Sequence, residues 1–150
     1  MIRLRTVMDT QAFGRRLAGL LRAGDLVVLG GPLGAGKTAL VQGIGAGLEV
    51  SGRIASPTFV IARVHPGPLP LVHVDAYRLG SFDEVDDLDL DVSMDEAVTV
   101  VEWGEGKAEQ LAESYLSIVL ERSADSDVRT ATLVPHGGDW AMRIAPLVGP

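Results

Sequence analysis

The chain contains no cysteine and no asparagine, and its only lysines are Lys37 and Lys107. Without cysteine there are no disulfides and no thiolate metal sites. The three histidines, His65, His73 and His136, are scattered along the sequence. A zinc site built from them would require distant segments to converge. No uninterrupted apolar run approaches the length of a membrane span, and the N-terminus lacks a signal-peptide pattern, so a soluble, cytoplasmic protein without membrane contact is expected. Neither an internal repeat nor a low-complexity tract is visible. Basic residues are also in short supply: 13 Lys and Arg face 20 Asp and Glu, a formal charge of −7. An acidic surface repels phosphate backbones, so any connection to RNA is expected to run through a partner.

What is present is enough for one packed domain spanning residues 1–150. Apolar residues make up 47% of the chain, which argues for a globule rather than disorder. Residues 2–7 read as a short strand. Thr6 followed by Asp9 resembles a helix capping box, with Asp in place of the usual Glu. Phe13, Leu17, Leu20 and Leu21 share one helical face, which predicts a helix over 9–22, stopped at Ala23-Gly24-Asp25. Leu26–Leu29 suits a buried strand ending at Gly30-Gly31. Residues 37–48 look helical, although Gly43, Gly45 and Gly47 weaken that helix. Residues 58–74 read as a hairpin broken at Pro66-Gly67-Pro68. Val98–Val101 is a strong strand, Gly106–Ser114 a helix, and Leu116–Arg122 and Val128–Val134 a strand pair around a turn at Ser123–Asp127. Residues 139–147 are ambiguous. Strands alternating with helices, then a strand-rich C-terminal part, indicate an α/β fold. Residues 83–96 carry eight acids and no base. They read first as a solvated loop and short helix, and otherwise as a docking surface.

Gly31-Pro32-Leu33-Gly34-Ala35-Gly36-Lys37-Thr38 satisfies G-x-x-x-x-G-K-[ST], with a strand before it and a helix, opening at Lys37 and continuing through Ala39, after it. In such a loop glycines let backbone N–H groups curl around phosphate oxygens, and the next helix aims its positive end at the same anion. The lysine reaches the β- and γ-phosphates, and the hydroxyl of Thr38 binds magnesium. Guanine specificity commonly uses N-K-x-D. The chain has no asparagine, and Lys107 is followed two residues on by Glu109, so ATP is expected rather than GTP.

A magnesium nucleotide also needs an acid, usually at the end of a neighbouring strand. Glu102 follows the apolar run 98–101, and Asp75 follows Leu71–Val74. Either is placed to hold magnesium through water or to orient an attacking water. The plainer reading of each is a solvent-facing acid at a strand terminus. Trp103 reads mainly as packing. Thr58, after Pro57, is either a strand-starting residue or a switch threonine that senses the γ-phosphate. Arg78 pairs either with phosphate or with the acidic stretch.

The loop G-P-L-G-A-G-K-T, Ser56-Pro57-Thr58, H-V-D-A-Y-R-L at 73–79 and V-E-W at 101–103 occur in this order. Together they resemble the TsaE (YjeE) family of small bacterial P-loop ATPases, over residues 6–134. The resemblance implies a single three-layer αβα P-loop NTPase domain with a mixed, largely parallel sheet. It implies slow ATP hydrolysis with Mg2+ that drives or resets a TsaB–TsaD-type complex in the threonylcarbamoyladenosine (t6A) modification of tRNA at position 37. It places Gly31 and Gly34 to Ala39 at the phosphates, Thr38 and Glu102 at magnesium, and Lys37, Asp75 and Glu102 in catalysis. It also implies that Thr58 lies in a switch segment, that Arg129 contacts the nucleotide, and that residues 6–10 lie beside the adenine. Pro32 stands where an acid is common, and the cradle glycines are intact. The residues by themselves leave two other readings open: a small-molecule P-loop kinase, and a nucleotide-gated binding module with little hydrolysis.

Overall fold

The computed structural model describes residues 2–32, 34–51, 62–75, 94–102, 113–123, 126 and 128–148. Ser56 to Thr58, Arg78, Trp103, Lys107 and most of the acidic stretch lie outside these residues.

The capping box at Thr6 forms. The Thr6 hydroxyl accepts from Asp9 N at 3.0 Å, and the Asp9 carboxylate accepts from Thr6 N at 3.2 Å. This starts helix α1 (Val7–Ala18), directly after strand β1 (Ile2–Leu4). The helix ends earlier than its apolar face suggests. The N–H groups of Gly19, Leu20 and Leu21 bond back three residues, to Arg16, Leu17 and Ala18, so the chain tightens out of the α-helix while Leu21 stays buried. Strand β2 (Leu26–Gly30) follows, then the glycine loop and helix α2 (Lys37–Gly47).

Strands β3 (Ala62–His65) and β4 (Leu71–Asp75) form the expected antiparallel hairpin. A single 3-10 turn, Met94–Glu96, leads into β5 (Val98–Glu102). Strands β6 (Tyr115–Arg122) and β7 (Arg129–His136) are antiparallel neighbours. The ambiguous tail is a helix, α3 (Trp140–Val148), which carries Pro146 in its last turn and buries Trp140 and Ile144.

The seven strands form one mixed sheet in the order β1-β7-β6-β2-β5-β4-β3. The central four, β6, β2, β5 and β4, are parallel, and antiparallel strands flank them on both sides. Every residue of β2 and β5 is buried, as expected for parallel strands covered on both faces. Leu17, Leu40, Val41 and Ile44 of the helices pack with Val27, Leu29, Val100 and Ile118 of the sheet in one core.

The glycines that weaken α2 as an isolated helix make its packing possible. A Cβ on Gly43 would stand 2.2 Å from the Gln11 carbonyl oxygen of α1, and one on Gly14 would stand 2.6 Å from that of Leu40. The two helices therefore touch backbone to backbone, which only glycine at these positions permits. Gln11 Nε2 adds a bond to Gln42 Oε1 at 3.0 Å. This contact fixes the N-terminal end of α1 relative to the glycine loop.

Candidate nucleotide site

Parallel strands bring their C-terminal ends to one edge of the sheet, where α/β proteins bind ligands. Here β2 delivers the glycine loop to that edge, and β5 and β4 deliver Glu102 and Asp75. Leu29 is in register with Glu102, and Glu102 with Asp75. The two acids thus occupy successive strands beside the root of the loop.

The loop is shaped by backbone. Gly31 has φ +129°, and a Cβ there would meet the Leu120 carbonyl oxygen of β6 at 2.2 Å. Only glycine lets the chain turn so tightly off β2. Gly36 is the N-cap of α2, in a left-handed conformation and with no side-chain cap. The first turn of α2 also holds no acid. Its N–H groups and the positive end of its dipole are therefore not engaged by a carboxylate of their own helix, an arrangement suited to an anion.

Lys37 is buried, 6% exposed, and its Nζ donates to the carbonyl oxygens of Gly31 at 2.6 Å and Pro32 at 3.0 Å. The ammonium thus lies folded over the loop. Thr38 and Ala39 are half-buried in the first helical turn, and Ala35 is buried.

Beside the loop is an open cavity of about 440 Å³, within the usual range for small-molecule sites. Arg5, Thr6, Val7 and Thr10 line one wall, Gly36 and Ala39 another, and Arg129 completes it. Arg129 reaches the loop because β1 pairs with β7, with Leu4 opposite Arg129. A Cβ on Gly36 would lie 4.0 Å from Arg129 Nε. The structure therefore brings together Gly36, Ala39, Arg129 and the segment from Thr6 to Thr10. Arg5 is an addition that no local motif marks. Thr58 lies outside the described residues, as does Leu33 of the loop.

Glu102 is 4% exposed, so it is not the solvent-facing acid that a strand terminus usually carries. A buried carboxylate needs a hydrogen-bond donor. His73 Nε2 supplies it, bonding Glu102 Oε2, and His73 is itself fully buried. In the sequence His73 stands out only as one member of the H-V-D-A-Y-R-L segment, because a contact across two strands has no local signature. His65, on β3, is also buried. Desolvation, then the nearby His73 and Arg63, push its imidazole below the ordinary value.

These features can be set beside known proteins. A sequence model described as threonylcarbamoyl adenosine biosynthesis protein TsaE matches residues 4–131. The tRNA threonylcarbamoyladenosine biosynthesis protein TsaE of Streptomyces coelicolor is 60% identical over 136 residues, covering 85% of this chain and 91% of that protein. Its namesake in Bacillus subtilis is 38% identical, covering 89% of this chain and 84% of that one. The crystal structure of Bacillus subtilis YdiB superposes with a TM-score of 0.79 at 30% identity, covering 98% of this chain and 92% of that one. With a family match across most of its length and relatives of this similarity, the chain belongs to the TsaE family of tRNA threonylcarbamoyladenosine biosynthesis proteins.

Proposed function

We propose that the chain binds ATP with magnesium, hydrolyses it slowly, and so drives or resets a TsaB–TsaD-type complex in the cytoplasmic t6A37 modification of tRNA. The observation that carries the reading is the placement of a buried carboxylate, Glu102, one strand away from a loop whose helix end is uncapped. The cradle suits a triphosphate: Gly31 and Gly36 have positive φ, the α2 N-terminus carries no acid, and a lysine is already at the loop. The oxygen donors Thr38 and Glu102 suit magnesium, a hard cation.

In this reading the N–H groups from Gly34 to Ala39 bind phosphate oxygens, and Lys37 leaves its carbonyl partners for the β- and γ-phosphates. Residues 5–10 and Arg129 hold the base and sugar in the cavity. Thr38 and Glu102 would hold magnesium, which supplies charge neutralisation on the β- and γ-phosphates. Asp75 or Glu102 orients the attacking water, and Thr58 reports the γ-phosphate. ATP is preferred to GTP because the chain lacks the asparagine of a guanine motif. The net charge of −7 accords with reaching tRNA only through a protein partner.

Product analysis tests the reading. ATP should yield free phosphate, faster with the partner pair present. Glu102→Ala and Lys37→Ala should each lower the rate about a hundredfold or more while the fold survives. Normal turnover in either variant overturns the assignment. Phosphate transferred to a metabolite would make the protein a kinase. Nucleotide-dependent partner binding without any turnover would make it a gated binding module.

A further inference from the structure

We propose that His73 is a positioning residue for Glu102: its imidazole commits one carboxylate oxygen to the protein and thereby presents the other to the magnesium nucleotide. The inference rests on the nucleotide reading above and adds a residue to it.

The strand register creates the contact. β4 and β5 are parallel, with Asp75 opposite Glu102 and His73 opposite Val100. Since side chains alternate between faces, His73 and Glu102 project from the same face, one pleat apart on adjacent strands. From there His73 Nε2 bonds Glu102 Oε2. A carboxylate offers only lone pairs, so Nε2 carries the hydrogen in this bond. The side chains are 1% and 5% exposed, so water is a poor substitute for either partner. A glutamate at a strand end has several rotamers, and this bond selects one of them.

Packing alone accounts poorly for this imidazole. Its Nδ1 is buried and has no hydrogen-bond partner among the described residues. An unsatisfied buried nitrogen is a net cost to the fold, and leucine would fill the space without incurring it. The histidine is explained by what its Nε2 holds. Partners that orient a metal-binding side chain in this way typically matter about 10- to 100-fold for metal affinity or activity.

Three variants test the role: His73→Leu, His73→Asn and His73→Gln. Glutamine places an amide N–H near the position of Nε2, whereas asparagine stops short of it. Calorimetry gives the ATP affinity in EDTA and in excess Mg2+, and the ratio is the magnesium-dependent gain. Affinity in EDTA should stay within about twofold of wild type in all three, since Lys37 and the loop are untouched. The gain should fall about tenfold or more in the Leu and Asn variants and be kept within about threefold in the Gln variant. A wild-type gain in the Leu or Asn variant overturns the proposal. So does a Gln variant that folds with a native thermal transition yet loses the gain, because a positioning role survives wherever the donor survives. If the Leu variant does not fold, the Asn and Gln pair carries the test alone. Absence of ATP affinity in the wild-type protein, with or without Mg2+, is a separate result that sinks the nucleotide reading itself.

Discussion

The two ends of β2 are built from opposite materials. At the C-terminal end backbone sets the shape: Gly31 and Gly36 have positive φ, and no side chain caps the start of α2. At the N-terminal end side chains do the holding. Asp25 accepts from Arg22 N at 2.8 Å and takes both Arg143 nitrogens, Nη1 at 3.1 Å. Arg143 also donates to the Leu20 carbonyl oxygen and lies 4.1 Å over the Trp140 ring. Asp139 pairs with Arg22, a contact that holds its carboxyl below the usual carboxylate range. One end satisfies its polar groups internally and so locks α3 to the body of the fold. The other keeps the start of α2 uncapped, which costs stability in isolation and becomes useful when an anion arrives.

The sharpest way to break this contrast is at Gly31. Gly31→Ala forces a Cβ to within 2.2 Å of the Leu120 carbonyl oxygen at a φ of +129°. It should cost about 3 kcal/mol or more in chemical denaturation and abolish measurable ATP binding. Arg143→Leu attacks the other end. It leaves Asp25, which is mostly buried, without its cation, and should cost about 3 kcal/mol. If the two ends are independent, ATP affinity in that variant stays within about twofold of wild type. A much larger loss of affinity would show that the clamp and the cradle are coupled.

A smaller effect sharpens the comparison at the edge of the sheet. The folded-state value of His65 lies below its ordinary value near 6.5. The unfolded chain therefore takes up the proton first as pH falls. The stability that His65 contributes is present above about pH 6.5 and is lost as pH falls through that value toward the lower folded one. The slope from this residue is at most ~1.4 kcal/mol per pH unit. Denaturation at several pH values should show a flatter profile in His65→Gln, and an unchanged profile would remove His65 as the source.

Much of this architecture is legible in the sequence because its signals are local. The capping box at Thr6 and Asp9, the apolar runs of β2 and β5, and the loop at 31–38 each lie within a dozen residues. The end of α1 is not legible, because the apolar spacing of Leu20 and Leu21 continues through three-residue bonds that no longer belong to an α-helix. Helix α3 is obscured by Pro146, and it is anchored by Arg143 to Asp25, far away in the chain. The glycines of α2 read as a weakness until α1 is laid against them. Within the candidate site, Glu102 is visible as a strand-end acid, but its burial and its bond to His73 depend on the pairing of β4 with β5. Arg129 enters only through family resemblance, since its position follows from the pairing of β1 with β7.

That last pairing has a consequence for synthesis on the ribosome. The glycine loop emerges early, yet the lining of the cavity beside it is completed by Arg129, and β1 is held in the sheet by a strand that begins at the same residue. At roughly 5–20 residues per second, several seconds separate translation of Lys37 from that of Arg129. Throughout that interval the nascent chain carries the whole glycine-loop sequence without the cavity that accompanies it. The site is finished only when nearly the whole chain has been made, so a truncated product carries the motif without the pocket.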